Sequence, residues 1–405
     1  MKKLLFPLFF FPLVLNAADI QRGVYVEDPT LTSAIFKLRT TAPSPVWLEY
    51  GPAPACNQIM ALSPEGYNHA VLVQGLVPNK DFCYNAYVLN ANRTGVQPPL
   101  SGRFRTLFTP ERKQVNFIVF GNTAGSNAEG RTLLADKLSA ETPDFFIHTG
   151  DLVSTGLDTE ADAEFFLPFR NLLLNAPMFI AVGEKEYGEA KDAATSSMVF
   201  RSNFAKSHTM TWGAGSPEYY SFDTANARFI FLSTAVVEGV EGAPSFAKDS
   251  KQYAWFKKTL ATTDPGMWKI VVLHNPVRST GVSGQENQNL SPDLRQAQED
   301  LVSLMEMYGV NLVIQGHDQA YERTFTLRKN KDTDQEEESE RGIVYITLGT
   351  GASETLTKRA LDKPWTARFV SSQAYAVMEI VDRRLSVKVY NFDGKILDTV
   401  DIAYS

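Results

Sequence analysis

Short apolar runs, each followed at once by polar residues, recur along the chain after residue 114. The clearest is Phe145–His148, which runs into Thr149-Gly150-Asp151. A β-prone run of this length with turn residues after it predicts a buried strand. Because ligands bind beyond the carboxyl ends of strands in open α/β sheets, such polar ends predict a site for a metal or a phosphate. Four further runs share the design and end at Gly121-Asn122, Gly183-Glu184-Lys185-Glu186, His274-Asn275-Pro276 and Gly316-His317-Asp318-Gln319.

Amphipathic helical patterns lie between these strands, and a strand-rich segment closes the chain. Strands that alternate with helices predict an α/β layered domain. The candidate helices are Arg131–Ala140, Glu160–Leu174, Ser250–Thr262 and Leu294–Tyr308, with a poorly defined helical connection at 192–207, and the late strands are Val344–Leu348, Ala374–Val381 and Leu385–Phe392.

The first hundred residues show a different pattern, with short alternating strands, frequent turns and no helical period. Regular short strands separated by Gly, Pro and Asn predict a β-sandwich. A chain of 405 residues is too long for one core, so we expect two domains, 19–108 and 109–405, on either side of the start of a polar linker at 108–113. The clearest strands are Ala34–Arg39, Val46–Tyr50, Ala70–Gln74, Phe82–Val88 and Gly102–Thr106.

The first residues have the pattern of a secretory signal. Lys2 and Lys3 precede the apolar stretch Leu4–Leu15, and Asn16-Ala17-Ala18 follows as a small-residue exit. The apolar stretch is too short to span a bilayer, and no later run is long enough. We therefore expect residues 1–18 to be a signal peptide and the mature protein to be exported, either to the periplasm or out of the cell.

Charge and cysteine content narrow the class further. The net charge of −7 and the pI near 5.4 argue against nucleic acid or an anionic membrane as the main partner. The two cysteines, Cys56 and Cys83, both lie in the first domain. An even count in an exported chain favours a disulfide, and two separate buried thiols are the alternative.

Several motifs together resemble those of the purple acid phosphatases, within the calcineurin-like metallophosphoesterases. This resemblance implies a fibronectin type III-like β-sandwich followed by a four-layer α/β/β/α metallophosphoesterase domain. It also implies two metal ions, which activate a water for attack on a phosphomonoester. The motifs are Arg22-Gly23-Val24-Tyr25, Thr32-Ser33, the turn and strand entry at 75–84, Tyr219-Tyr220-Ser221-Phe222-Asp223, Gln252-Tyr253-Ala254-Trp255, the stretch 316–323, Gly349-Thr350-Gly351 and Asn391-Phe392-Asp393-Gly394-Lys395.

The first metal site that the resemblance implies is substituted in this chain. Asn122 stands where the family has an Asp, Ser154 where it has a Tyr, and Gln319 where it has a His. Only Asp151, which bridges the two metals in the family, keeps its type. Amide oxygens are weak, neutral ligands for a hard trivalent ion, so we predict that this first site is empty.

The second metal site retains a full set of donors. The resemblance assigns it to Asp151, His274 and His317, with Glu184 at the position of the family's Asn. Two imidazoles and two carboxylates suit zinc, manganese or ferrous iron. We therefore expect one divalent metal ion.

The family's general acid, a His, is replaced by Lys185. A Lys with a pKa near its usual value of about 10.4 is a poor proton donor at neutral pH. We hypothesise that its ammonium fills the charge vacancy left by the first metal, by pairing with Asp151 or Glu184 or by holding a phosphate. Of the other histidines, His148 is expected to be a hydrogen-bonded core residue, and His69 and His208 to be structural or exposed.

Three functions remain open from the sequence. The protein could be a phosphomonoester hydrolase that works with one metal, and a phosphate ester or another small anion would then be its ligand. It could also be an inactive relative that binds a phosphorylated ligand or another protein. The third alternative is an exported structural protein that uses the fold as a scaffold. The sequence identifies neither the substrate nor a protein partner.

Overall fold

The computed structural model describes residues 18–404 except 91, 93, 96–97, 189–197, 205–215, 331, 334 and 353–355. The expected signal segment before Ala18, most of the helical connection at 192–207 and His208 lie outside the described residues.

Twenty strands make up most of the regular structure of the described residues. In chain order they are β1 (Ile20–Glu27), β2 (Ser33–Pro52), β3 (Ile59–Gln74), β4 (Asp81–Val88), β5 (Leu100–Arg105), β6 (Gln114–Phe120), β7 (Phe145–His148), β8 (Met178–Ile180), β9 (Tyr220–Thr224), β10 (Ala227–Phe231), β11 (Trp268–Val272), β12 (Leu312–Gln315), β13 (Tyr321–Thr324), β14 (Leu327–Lys329), β15 (Glu336–Glu338), β16 (Val344–Leu348), β17 (Thr366–Val370), β18 (Tyr375–Val381), β19 (Arg384–Tyr390) and β20 (Ile396–Ala403).

The helices of the described residues all follow β5. The α-helices are α1 (Ala128–Ala140), α2 (Asp158–Glu160), α3 (Arg170–Leu173), α4 (Met198–Phe204), α5 (Lys251–Ala261), α6 (Val282–Glu286) and α7 (Pro292–Met307), with a π-helical turn at Ala161–Phe166 and 3₁₀ turns at Lys185–Tyr187, Ala235–Glu238 and Asn287–Asn289. Among the described helices, none combines the length and the apolar character that crossing a membrane requires.

The first five strands form one sheet around their own core. Its order is β1-β2-β4-β5, with β3 paired to β2. The sequence predicts two strands at Ala34–Arg39 and Val46–Tyr50, but β2 runs continuously through both, because β3 pairs with it along both halves across register shifts between Arg39 and Val46. A disulfide joins Cys56 to Cys83, as predicted. The fibronectin type III character of this sheet and the domain boundaries stay predictions.

Two larger sheets face each other in the rest of the chain. One has the order β20-β19-β18-β6-β7-β8, and the other has the order β17-β13-β16-β12-β11-β10-β9. Within them β6-β7-β8 and β10-β11-β12-β16 run parallel. Buried aromatic rings fill the space between the sheets, for example Phe145 of β7 and Phe229 of β10, whose ring centroids lie 5.3 Å apart.

Helices cover the outer face of each large sheet. Alternate residues of a strand point to opposite faces, so each strand contributes to two cores. On one side Phe120 and Phe146 pack with Leu134 and Leu138 of α1. On the other side, residues of β11 and β12 pack with α5 and α7. The order of layers is therefore helix, sheet, sheet, helix, and the parallel strands of both sheets deliver their carboxyl ends to one edge.

The predicted helix Glu160–Leu174 is wrong as a single element. The segment instead contains the end of α2, the π-helical turn and α3, with turn residues between the last two. Pro168 lies at the break. Proline lacks the backbone N–H and its ring clashes with the preceding turn, so it interrupts a helix.

Arg22 of β1 joins the first sheet to this broken segment. Its side chain is 2% exposed. The guanidinium donates to Asp162 at 2.5 Å, to Asp158 at 3.1 Å and to Asn203 at 2.7 Å, and it lies 4.1 Å from the centre of the Phe166 ring. The fixed charge of the arginine compensates two carboxylates that the interface removes from water.

Replacing this arginine should destabilise the protein more than replacing an exposed one. We expect Arg22→Ala to lower the free energy of unfolding by about 2 kcal/mol, because it removes the nearer counter-charge of Asp162 and leaves that carboxylate with Arg39 at 3.6 Å. Urea denaturation of the variant would measure the change. Arg359→Ala is the control and should change little, because Arg359 forms an ion pair with the fully exposed Asp362 and its hydrogen bonds to the backbone oxygens of Leu361 and Lys363 are also exposed. Equal effects of the two substitutions would contradict the interpretation.

Candidate metal centre

Four side chains from four strand ends converge at the common edge of the two sheets. Asp151 follows β7, Glu184 follows β8, His274 follows β11 and His317 follows β12. Each offers one ligand atom, and the four atoms all lie within 4.8 Å of one another. The structure therefore brings together all four residues that the sequence nominates for the second metal site.

Left-handed backbone conformations shape this edge. Asn122, Asp151 and His317 have φ angles of +52°, +58° and +59°. Non-glycine residues rarely adopt positive φ, although Asn, Asp and His tolerate it better than most. Such conformations cost on the order of 1–3 kcal/mol each and cluster at functional sites. The local strain is offset by the surrounding sheets and lets the chain turn sharply where each strand ends.

Two glycines allow these turns to approach His274. A Cβ on Gly150, whose φ is +101°, would lie 2.4 Å from His274 Nδ1. A Cβ on Gly316 would lie 2.5 Å from the backbone oxygen of Thr149. Neither position has room for a side chain, so glycine is required for the loops to close around the imidazole.

The orientation of His274 leaves a lone pair for a cation. Its Nδ1–H donates to the backbone oxygen of Thr149 at 2.6 Å. Nε2 then faces Glu184 Oε2 at 3.0 Å and Asp151 Oδ1 at 3.4 Å. Among the described residues, Glu184 Oε2 is buried without a hydrogen-bond partner. Two lone pairs at this distance repel each other unless a proton or a metal cation lies between them, and the imidazole and carboxylate donors fit a divalent metal ion.

The electrostatics of the site point the same way. Burial lowers the pKa of His274, but the carboxylates of Asp151 and Glu184 outweigh it and raise that pKa well above its usual value. Burial raises the pKa of Glu184, yet His274 and His317 outweigh it and hold that pKa well below its ordinary range. Without a metal, protons on the histidines balance the carboxylates, and a bound cation would replace them.

The other oxygen of Asp151 faces Lys185 and Asn122. Lys185 Nζ lies 3.3 Å from Asp151 Oδ2, and the Asn122 amide donates to the same oxygen at 3.5 Å. The Asn122 amide also donates to the backbone oxygen of His317, at 3.3 Å, and accepts from its backbone N–H, at 3.2 Å. Burial lowers the pKa of Lys185, but Asp151 outweighs it and raises that pKa, so the ammonium keeps its charge.

The remaining first-metal positions make other contacts. Ser154 donates its hydroxyl to Glu164, with distances of 2.8 and 3.1 Å to the two carboxylate oxygens. The Gln319 backbone N–H donates to the hydroxyl of Thr357 at 2.9 Å, on the wall of the cleft. The cleft has a volume of about 550 Å³ and is lined by Asn122, Asp151, Glu184, Lys185, Val282, His317, Asp318, Gln319, Leu356, Thr357 and Lys358.

Glu186 supports the site from beneath and carries no signal in the sequence beyond its place in the strand-end motif. Its carboxylate accepts the backbone N–H groups of Asp151 at 2.9 Å, Leu152 at 2.6 Å and Gly183 at 2.7 Å. Burial, with a further contribution from Asp151, raises the pKa of Glu186 to about 7. One side chain thus fixes the loops that carry Asp151 and Glu184.

Two other histidines are structural, as predicted. His148 is fully buried in β7, where Nδ1 accepts the N–H of Gly150 at 3.2 Å and Nε2 lies 3.0 Å from the hydroxyl of Thr123. Burial, followed by the nearby His274, lowers the pKa of His148 to about 3, so it stays neutral. His69 lies buried in the first sheet, 2.9 Å from the hydroxyl of Ser63.

Two facing sheets flanked by helices, with carboxylate and imidazole donors at the strand ends, define a metallophosphoesterase. The chain belongs to the calcineurin-like phosphoesterase family, whose model matches residues 115–321, just over half of the chain. Proteins of this family act on phosphate esters, and membership implies binding of divalent metal.

Relatives of known sequence identify the branch of the family. The chain is 27% identical over 185 residues to purple acid phosphatase 15 of Arabidopsis thaliana, covering 45% of this chain and 31% of that protein. It is 25% identical over 259 residues to purple acid phosphatase 22 of the same plant, covering 63% and 54%. The chain thus spans between about a third and about half of these relatives. The predicted resemblance to the purple acid phosphatases is confirmed.

Solved structures show the same fold. The purple acid phosphatase PPD1 of yellow lupin superposes with a TM-score of 0.75 at 16% identity, covering 94% of this chain and 74% of that one. PhoD superposes with a TM-score of 0.71 at 11% identity, covering 95% and 92%. A Plasmodium protein described as GAP50, the anchor in the inner membrane complex, superposes with a TM-score of 0.51 at 17% identity, covering 73% and 90%.

Removing the carboxylate of Glu186 should loosen the site. We expect Glu186→Gln to lower the free energy of unfolding by about 2 kcal/mol, because the new NH₂ group opposes at least one backbone N–H. Thermal or urea unfolding of the metal-free protein would measure this. Glu164→Gln is the matched control, since a Gln oxygen can still accept from Ser154. If the Glu186→Gln variant is as stable as the control, the carboxylate of Glu186 is not needed to hold the two loops in place.

Proposed function

We propose that this protein is an exported phosphomonoester hydrolase that works with one divalent metal ion, held by Asp151, Glu184, His274 and His317. The observation that carries the proposal is the convergence of four ligand atoms, one from each of these residues, which all lie within 4.8 Å of one another. The Cys56–Cys83 disulfide supports export, because disulfides persist in oxidising compartments.

The chain's own residues would bind and orient the phosphate. A divalent ion, when bound, supplies Lewis acidity to a phosphoryl oxygen and to a water molecule. The ammonium of Lys185, 35% exposed and aligned on Asp151, provides a second positive charge next to the four donors. Lys358 adds a third cation on the wall of the same cleft. Together these groups would neutralise a phosphate that enters the cleft.

The absence of an efficient proton donor at Lys185 restricts the leaving group. Asp151 raises the pKa of Lys185 against the effect of burial, so the ammonium holds its proton at neutral pH. Acidic leaving groups such as phenolates depart without being protonated. Phosphate esters of phenols are therefore the substrates that this site would hydrolyse best.

A second function, binding of a phosphorylated ligand without hydrolysis, is favoured by the same lysine. Lys185 and Asn122 both contact the oxygen of Asp151 that the family uses for its first metal. The negative charge of Asp151 is thereby still neutralised, although the side chains that the family uses for one metal and for the general acid are replaced.

The number of metal ions that the protein binds distinguishes the proposed single-metal site from the two-metal site of the family. After stripping with a chelator, we expect the mature protein to bind one equivalent of zinc in a calorimetric titration. His274→Ala should weaken this binding by on the order of 100-fold or more, because even indirect partners of a metal contribute roughly 10- to 100-fold. His69→Gln, in the first sheet, is the control and should bind normally.

Two outcomes would contradict a single-metal site. Two equivalents in the wild-type protein would mean that Asn122 and Gln319 act as ligands. No binding would leave a metal-free anion-binding or scaffold protein.

Restoring the family's side chains should restore the second metal. We expect Asn122→Asp, Lys185→His and Gln319→His together to add a second equivalent of metal and to raise hydrolysis of p-nitrophenyl phosphate. The control is the Asn122→Asp, Gln319→His double variant, in which the Lys185 ammonium still occupies the position and excludes the second ion. If the double variant binds two ions as readily as the triple variant, Lys185 does not take the place of the first metal.

A further inference from the structure

Glu238 lies on the side of His317 that faces away from the other proposed ligands. Nδ1 of His317 lies 3.3 Å from Glu184 Oε1 and 3.3 Å from Nε2 of His274. The other ring nitrogen, Nε2, lies 3.9 Å from Glu238 Oε1. The two nitrogens of one imidazole therefore face two different carboxylates, one inside the donor cluster and one outside it.

A histidine binds a metal only through a nitrogen that carries a lone pair. In neutral imidazole the other nitrogen then carries the proton, and its hydrogen-bond acceptor determines which tautomer is present. Metal-binding histidines usually donate that second N–H to a carboxylate, a backbone carbonyl or water. Glu238 Oε1, 3.9 Å from Nε2, lies beyond direct hydrogen-bond distance in this structure, and a small rotation of its side chain would let it accept that N–H.

The carboxylate of Glu238 is itself held in position. It ends the 3₁₀ turn Ala235–Glu238 that follows β10. The Asn275 amide donates to its Oε1 at 3.2 Å. Asn275 is fixed in turn by Thr234, whose hydroxyl donates to Asn275 Oδ1 at 3.2 Å and accepts from Asn275 N at 2.9 Å. Because Asn275 follows His274 directly in the chain, the residue next to one histidine holds the carboxylate that lies beside the other.

A neighbouring carboxylate provides a natural comparison. Glu286, at the end of α6, lies with Glu238 and His317 in a group whose ligand atoms are within 4.8 Å of one another. Both glutamates are exposed, but Glu238 accepts a hydrogen bond from the buried Asn275. The two residues carry the same charge at similar distance and differ in how firmly they are held.

We propose that Glu238 is a positioning residue that keeps the proton of His317 on Nε2 and so presents Nδ1 to the metal. This inference rests on the proposed single-metal function. It extends the set of residues that build the site to the 3₁₀ turn Ala235–Glu238, beyond β10.

The test compares Glu238→Ala with Glu286→Ala in the full mature protein. Zinc titration should show that Glu238→Ala keeps the stoichiometry but weakens affinity by roughly 10- to 100-fold. Glu286→Ala should change affinity little. Glu238→Gln should recover part of the loss, because its amide oxygen still accepts from Nε2–H.

Nitrogen-15 NMR of the histidine side chains reports the tautomer of His317, which a simple loss of negative charge nearby would not change. In the zinc-loaded wild-type protein the proton of His317 should reside on Nε2. In Glu238→Ala the signals should shift toward a mixture of tautomers at subsaturating zinc, while those of His148 stay unchanged.

The possible failures are distinguishable. If the wild-type protein binds no zinc, the proposed function fails and this inference fails with it. If the wild-type protein binds one equivalent and Glu238→Ala binds it as tightly with the same tautomer, only the role of Glu238 is overturned. A second equivalent of zinc that disappears in both Glu238→Ala and Glu286→Ala would make these residues ligands and would likewise overturn the positioning role.

Discussion

The burial of the Asp151 carboxylate is the constraint on which the rest of the site depends. Its side chain is 2% exposed, and a buried charge of this kind is tolerated only if it is paired and hydrogen-bonded. One oxygen faces the imidazole of His274, and the other faces the ammonium of Lys185 and the amide of Asn122. These partners come from the ends of three other strands in both large sheets. Satisfying one carboxylate therefore ties the two sheets together at their common edge.

The charges around Asp151 do not balance without a mobile cation. Asp151, Glu184 and Glu186 are all carboxylic acids, and Lys185 is the fixed cation among their partners. The two histidines supply the remaining positive charge only when protonated. The elevated pKa values of His274 and His317 reflect this demand. A divalent ion would meet this demand without protons, which is why the four residues suit metal binding.

Much of this arrangement is readable from the chain, and the part that is not has a definite physical cause. Asp151, His274 and His317 can be predicted as site residues because each comes shortly after an apolar strand, and parallel strands end at one edge of a sheet. Glu238 lies several residues beyond β10, so strand-end reasoning does not reach it. The role of Glu186 depends on backbone N–H groups from two loops that meet only in the folded protein. The continuous β2 and the break at Pro168 show that pairing partners and single prolines override local periodicity.

The left-handed turns at Asn122, Asp151 and His317 also act as a filter on which amino acids these positions accept. Positive φ is compatible with Asn, Asp and His at modest strain and is poorly compatible with branched or bulky residues. At position 122, exchanging the family's aspartate for asparagine preserves the backbone while it removes the charge that a trivalent ion requires. The backbone geometry that suits an aspartate at this position therefore also accepts an asparagine, so the side-chain chemistry can change while the fold is kept. Substitutions at these three positions are therefore restricted mainly to Asn, Asp and His. A site with altered chemistry can for this reason keep the backbone shape of an active one.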